Sequence, residues 1–367
     1  MTRPLLIATC TLLGACATTP LPDLDAQAQR LMQRENVQGM ALAVIDGGRV
    51  VKVAAYGKRN VARDLPLRDD TIMYGASLTK AAFAYMLLQL VDEGKLDLDA
   101  PVAKLLPKGF ADLPDDERWR ALTPRILLNH GTGFANFRWL EKDKKLRFHW
   151  APGTRYGYSG EGFYLLQELL ETGLGLDAGK EMQTRVFDRF GMTRTSMQWR
   201  ADFAANLADG YTVDGKEEAH DERSKVRAAG SMDTTIADQA RLWAGIVRGD
   251  GLSAKARAEL VRPQLPIASQ QQFPTLSAPA NPGNAAIGLA AGLGVVTFRD
   301  VSGHAWFKGG HNDSTGNMVL CLENGKRCVV MLANDVRAER IYPELARIVL
   351  GRTSMPWAWE YGPGVKP

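Results

Sequence analysis

"MYGASLTKAAFAYMLLQLVDEGKLDLDAPV", residues 73–102, is the stretch on which the fold turns. Ser77 and Lys80 stand three positions apart, ahead of a run from Ala81 to Leu88 that is apolar without a break. The run predicts a helix over 77–93, stopped by Gly94. Positions three apart share a helix face and lie about 4.5 Å apart along the axis. A serine hydroxyl is a weak nucleophile until a base takes its proton. An ammonium cannot take it, but a neutral amine can. Lysine becomes neutral near pH 7 when burial or a second cation disfavours its charge. A helix apolar on nearly every side supplies that burial. Ser77 in the first turn also sits where the helix dipole favours negative charge on a reacting oxygen. The competing reading is an N-capping serine and a lysine whose stem lies on apolar surface with its head in water.

The 367 residues suffice for one large domain or two smaller ones. Hydrophobic residues are 45% and charged residues 23%, which is ordinary for a globular protein. A net charge of +4, with acids and bases interspersed, gives no reason to expect a nucleic-acid or acidic partner. At the N-terminus, Arg3 precedes an apolar stretch, Leu5 to Leu13, too short to span a bilayer and suited to a secretory leader. It ends in Leu13-Gly14-Ala15-Cys16, which resembles a bacterial lipobox. That resemblance implies removal of residues 1–15 and a lipid on Cys16. The protein would then lie in the periplasm, anchored to a membrane. Ala17, rather than an aspartate, points by analogy to the outer membrane. The alternative is an ordinary leader cut near Ala17.

Strand-like alternation over Met40–Asp46 and Arg49–Tyr56, joined by Gly47-Gly48, predicts a hairpin. From Pro101 to about Trp243 the pattern is helical pieces and long loops, with Gly162–Thr172 and Ile236–Val247 the clearest helices. Residues 263–284, with five prolines and three consecutive glutamines, read as an extended surface loop. Strand-like segments follow at 293–298, 305–308, 318–322 and 328–332, then a helix over 338–350. The expected fold class is α+β. An antiparallel sheet is built from both chain ends (16–95 and 286–367), flanked by helices, with a mostly helical insertion over 96–285. The charge runs 141–147 and 217–227 read as solvated faces. Cys321 and Cys328 flank "LENGKR", in which Asn324-Gly325 signals a two-residue hairpin turn. The turn sets them opposite each other, with Cα atoms about 5.5 Å apart in a hydrogen-bonded pair. Either a disulfide or two small buried residues on one face fits that placement.

Residues 75–102 closely resemble the active-serine helix of the serine β-lactamase and D-Ala-D-Ala peptidase superfamily, in its class C-like and carboxylesterase branch. Four further segments match in the expected order: "TPRILLNHGTGF" (123–134), "APGTRYGYSGEGFYLL" (151–166), "AAGSMDTTIADQARL" (228–242) and "WFKGGHNDSTGN" (306–317). The similarity runs from about Leu24 to Gly351. It implies a serine hydrolase working through an acyl-enzyme on ester or amide substrates. Ser77 would be the nucleophile, and Lys80 and Tyr158 would manage the proton. Lys308 would hold the tyrosine's charge or a substrate carboxylate. The backbone N–H groups of Ser77 and His311 would form the oxyanion hole. Gly309 and Gly310 would let a substrate backbone come close. Spacing alone does not separate Tyr158 from Tyr156.

Gly160 departs from the pattern, since β-lactamases and peptidases of this branch have asparagine there. Its absence favours small esters or D-amino-acid amides over β-lactams, with Asn312 or Asn317 as substitutes from the strand side. A β-lactamase, or a β-lactam-binding sensor acylated without turnover, are the alternatives. Carrying Ser77, Lys80, Tyr158 and Lys308 together argues for turnover. The five histidines, His130, His149, His220, His304 and His311, show no metal-ligand spacing, so neither metal nor other cofactor is expected. The expected partners are a small-molecule substrate and, through Cys16, a membrane. The oligomeric state is left open.

Overall fold

A computed structural model describes residues 23–110, 113, 116–276 and 279–365. Cys16 and the segment expected to be a leader lie outside the described residues. Nine antiparallel strands form one sheet. In chain order they are β1 (Gly39–Asp46), β2 (Arg49–Asn60), β3 (Leu65–Pro66), β4 (Leu265–Pro266), β5 (Ala290–Ala291), β6 (Val296–Asp300), β7 (Gly303–Asn312), β8 (Thr315–Leu322) and β9 (Arg327–Ala333). Their order across the sheet is β3-β2-β1-β9-β8-β7-β6-β5-β4. The two chain ends therefore meet at the β1–β9 seam, where Met40 pairs with Ala333.

The hairpin closes as expected. Asp46 pairs with Arg49, and Gly47 and Gly48 adopt φ of 57° and 73°, the left-handed pair of a type I′ turn. Side chains alternate between two cores. Ala41, Ala43 and Ile45 face one, and Met40, Leu42 and Val44 face the other. Both faces are covered, so β1 and β9 read as continuous apolar runs. On one face lie α1 (Leu24–Glu35) and α6 (Tyr342–Leu350). On the other lie α2 (Leu78–Asp92), α3 (Gly160–Glu168), α4 (Ile236–Arg248) and α5 (Ala254–Val261).

α2 is the axis of that second core. Every residue from Leu78 to Leu90 is buried, so it has no polar face to show. Each of its fully buried leucines is worth about 2 kcal/mol. Gly94, at φ 68°, stops it.

Cys321 and Cys328 pair directly and form a disulfide under the sheet, both fully buried. Their Cα atoms are 4.1 Å apart, the spacing of a non-hydrogen-bonded pair rather than the hydrogen-bonded one expected. The reason is the turn. The last ladder pair is Leu322 with Arg327, so the loop is residues 323–326 rather than Asn324-Gly325 alone.

Three other expectations change. Residues 263–284 are not merely a surface loop: β4 joins the sheet edge, and Gln272 is buried. The run 217–227 is largely exposed, yet Asp221, Arg223 and Arg227 face the cleft described below. Beyond α6, a short helical turn over Trp357–Tyr361 was not foreseen.

Candidate active site

Ser77 is the residue that caps α2, and the chain reaches it through an unusual step. Ala76 has φ 45°, a left-handed conformation that costs a non-glycine residue about 1 kcal/mol. Neighbouring bonds hold it there. Thr79 donates to the Ala76 carbonyl from its N–H (3.1 Å) and its hydroxyl (2.6 Å). Gly75 N–H donates to Met232 O at 2.8 Å, and Met73–Tyr74 pairs with Asp233–Thr234.

Lys80 Nζ lies 3.0 Å from Ser77 Oγ and donates to the Ala229 carbonyl at 2.5 Å. The side chain is 1% exposed. It does not reach water, which removes the alternative reading of the sequence. Burial first, and the Lys308 charge second, push its pKa well below the usual lysine value. The neutral amine has the hydrogens for Ala229 O and a lone pair for the Ser77 proton.

Tyr158 and Tyr156 are separated by the fold. Tyr158 hydrogen-bonds Ser77 through their hydroxyls, and Lys308 Nζ stands 3.4 Å from its Oη. Tyr156 turns away and donates to Gln272 Oε1 at 3.2 Å. Burial pushes the Tyr158 phenol up, and its bond to Ser77 only partly offsets this. The sequence reading leaned on nearby cations to favour an anionic tyrosine. Desolvation instead dominates, with the Glu360 charge adding to it, and favours the neutral phenol.

Lys308, on β7, is also buried and donates to Gly309 O at 2.7 Å. Burial lowers its pKa to about 8, against the attraction of Glu360. β6 pairs with β7 through Phe307, whereas β8 follows β7 to Asn312. Beyond Phe307, among the described residues, β7 has a ladder partner on one side, and Gly309 to Asn312 line the cleft. A Cβ on Gly310 would stand 3.0 Å from both Ser77 N and Leu78 N. Strand and helix terminus abut there, which puts residues 310–311 beside the serine. The His311 ring contacts Glu339, Nδ1 to Oε1 at 3.1 Å. Burial lowers its pKa, but the carboxylates of Glu339 and Glu360 outweigh this and raise it.

Gly160 begins α3, and its N–H donates to Asn136 O at 2.8 Å and Oδ1 at 2.9 Å. A side chain there would overlap the Phe137 ring, which fills the space. Asn312 lines the cleft, while Asn317 is buried with its amide on Tyr74 O at 3.0 Å. Asn136 lines the cleft as well.

Three contributors escaped sequence reasoning. His130 packs its ring 4.4 Å from that of Tyr158, and its Nδ1 accepts from Ser159 N–H at 3.1 Å. Burial, then Lys80 and Lys308, keep it neutral. Its place in "NHGTGF" was visible, but its role was not. Gln272 and Glu360 come from the loop and turn noted above, and no local pattern marks them. The whole cleft measures about 830 Å³.

Residues 24–351 match the family model described as Beta-lactamase, so the chain belongs to that family. Among curated proteins it is 28% identical over 184 residues to a D-aminopeptidase of Gluconobacter oxydans, covering 47% of this chain and 34% of that one. It is 28% identical over 193 residues to the D-alanyl-D-alanine-carboxypeptidase/endopeptidase AmpH of Escherichia coli, covering 47% and 49%. To esterase EstB of Burkholderia gladioli it is 33% identical over 110 residues, covering 30% and 28%. The chain thus spans half or less of these relatives' length. A class C β-lactamase structure superposes with a TM-score of 0.71 at 19% identity, covering 90% of this chain and 95% of that one. The structure of D-alanine carboxypeptidase AmpC from Burkholderia cenocepacia gives 0.69 at 22% identity, covering 90% and 99%. These superpositions carry the fold: a large antiparallel sheet with helices on both faces.

Proposed function

We propose that the chain is a serine hydrolase that works through an acyl-enzyme on small ester or D-amino-acid amide substrates. One observation carries the reading: a buried lysine amine, shifted toward its neutral form, 3.0 Å from the hydroxyl of a serine at a helix N-terminus. Ser77 Oγ attacks the substrate carbonyl as its proton passes to Lys80 Nζ. The carbonyl oxygen becomes an oxyanion facing the Ser77 and His311 N–H groups; one such donor is typically worth about 3 kcal/mol of barrier. Tyr158, bonded to Ser77, hands its proton to the departing oxygen or nitrogen and regains one from Lys80. The bond to the leaving group breaks and the acyl group stays on Ser77. Water then attacks the ester and gives a proton to the neutral amine of Lys80, which passes it to Ser77 Oγ as the acyl–oxygen bond breaks and the acid leaves as product. Lys308 keeps positive charge beside the phenol.

Esters and D-amino-acid amides are favoured over β-lactams because Phe137 stands where the branch's asparagine would project from residue 160. The relatives named esterase and D-aminopeptidase lend support. The reading also includes a periplasmic location with a lipid anchor on Cys16, supported by the Leu13–Cys16 quartet.

The test is a panel of p-nitrophenyl esters, a D-alanyl peptide and a chromogenic cephalosporin, run on the wild type and Ser77→Ala. Turnover of the first two that vanishes in the variant supports the reading. A stable adduct on Ser77 without turnover replaces it with a binding role. Cephalosporin hydrolysis faster than that of any ester overturns the substrate preference.

A further inference from the structure

The sequence left Gly309 as an opening for substrate backbone, but the protein fills that opening itself. The turn Trp357–Tyr361 delivers the Glu360 carboxylate into the cleft, and a Cβ on Gly309 would overlap Glu360 Oε1. Glu360 is 4% exposed. Its position is built from three chain segments. Gln272 Nε2 donates to Glu360 Oε2 at 2.9 Å, and Tyr156 donates to Gln272 Oε1. Gln272 N–H donates to Trp359 O at 2.8 Å. Trp357 and Trp359, each 2% exposed, seat the turn.

The field of the carboxylate reaches Lys308, which contacts the Gly309 carbonyl and the Tyr158 hydroxyl and shares a like-charge repulsion with Lys80. Burial raises the Glu360 pKa, and the charges of Lys308 and His311 oppose that rise. Other charges line the cleft, with Asp221, Glu222, Lys225 and Arg227 on the wall formed by residues 221–227 and others held by partners. His311 is paired with Glu339. Across the cleft, Arg223 lies over the Tyr74 ring and 3.2 Å from buried Asp233. A lysine that already has an internal counter-charge gains little from a substrate carboxylate. A second carboxylate brought beside buried Glu360 meets like charge, and repulsion opposes it.

We propose that Glu360 sets the charge selectivity of the cleft: it balances Lys308 from within, turning the site against carboxylate-bearing substrates and toward neutral or ammonium-bearing esters and amides. This rests on the acyl-enzyme reading above. Gly309 is then the residue that makes room for the carboxylate, and Gln272 the one that positions it.

The experiment uses matched aryl esters at about pH 7, where an ordinary carboxylate is ionised and Lys308, with a pKa of about 8, is mostly protonated. p-Nitrophenyl butyrate is compared with p-nitrophenyl hemisuccinate, and phenyl acetate with 4-acetoxybenzoate. One pair carries the charge on the acyl side and the other on the leaving group. The wild type is expected to favour the neutral member of at least one pair by tenfold or more in kcat/KM, an effect in the ordinary range for like-charge discrimination. Glu360→Gln, which keeps shape and the Gln272 bond, is expected to narrow that ratio about tenfold. Gly309→Ser, which displaces the same carboxylate from the strand side, is expected to narrow it too. The ratio, rather than the absolute rate, is the readout, so partial loss of folded protein does not move it. Turnover that depends on Ser77 with a ratio unmoved in both variants overturns the assignment and leaves the hydrolase reading standing. Absence of any Ser77-dependent turnover overturns both.

Discussion

Lys80 and Lys308 both approach the Tyr158 ring, 5.0 and 5.1 Å from its centroid, and both are buried. Their chemistry differs because their neighbours differ. Lys80 meets a carbonyl, a hydroxyl and the like charge of Lys308, so nothing opposes its desolvation. Lys308 has Glu360, which holds its pKa near 8. In the proposed mechanism, one carboxylate delivered from a distant turn is what sets a base apart from a cation. Burial alone does not assign a lysine its role; the sign of the nearest charge does.

The largest expected effect breaks the comparison at its neutral end. Lys80→Met should lower kcat/KM for a neutral ester about 10³-fold, the usual span for losing a positioned general base. A variant within tenfold of wild type would move the base elsewhere. Lys308→Met should cost about 10²-fold, as one electrostatic group lost near the reacting centre.

The pH profile sharpens the same contrast. Lys80 works unprotonated, so the rate should fall as acid protonates it. Lys308 works protonated, so the rate should fall as pH rises through about 8. Lys308→Arg should move that alkaline limb upward, since arginine does not titrate there. Stability runs the other way for this residue. Its folded pKa of about 8 lies below its unshifted 10.5, so the unfolded chain holds more protons between those values. Its contribution to stability therefore grows as pH rises through that window and is lost below it. Denaturant titrations of wild type and Lys308→Met across the window measure it.

Smaller effects are expected away from both lysines. Gly160→Asn should destabilise by about 2 kcal/mol through overpacking against Phe137. Adding Phe137→Ala should recover part of that, and the double variant is the fair test of the missing asparagine with a cephalosporin. Replacing Cys321 and Cys328 by serine opens a link of sequence separation 7. It should cost about 2 kcal/mol of stability with little change in kcat. A matching fall in kcat would tie the site to the sheet core more tightly than its geometry suggests.

Much of this architecture could be read from local pattern. The hairpin, α2, α4 and the last four strands follow from alternation, apolar run length and punctuating glycines. Ser77 and Lys80 sit close because helix geometry requires it. Tyr158 and Lys308 were found through resemblance alone, since no spacing rule joins residues so far apart. Gln272 and Glu360 were invisible for a different reason. Each is an ordinary polar residue in a segment whose composition says loop or tail, and its burial comes entirely from tertiary packing. His130 enters the sequence reading only as one of five histidines without metal-ligand spacing, because a histidine carries no local sign of what it stacks on. The charge run 217–227 shows the same limit: exposure was foreseen, but the cleft beside it was not.

The β1–β9 seam has a consequence for biosynthesis. As the chain emerges from the ribosome, the hairpin of β1 and β2 appears early with an unpaired edge made of Met40 to Ile45, all apolar. Its partner strand arrives only after some 280 further residues have been made, an interval in which such an edge invites pairing between neighbouring nascent chains. Slower translation or cooler growth lengthens that exposure as well as easing collapse. Raising holdase chaperones is therefore the more direct route to soluble material.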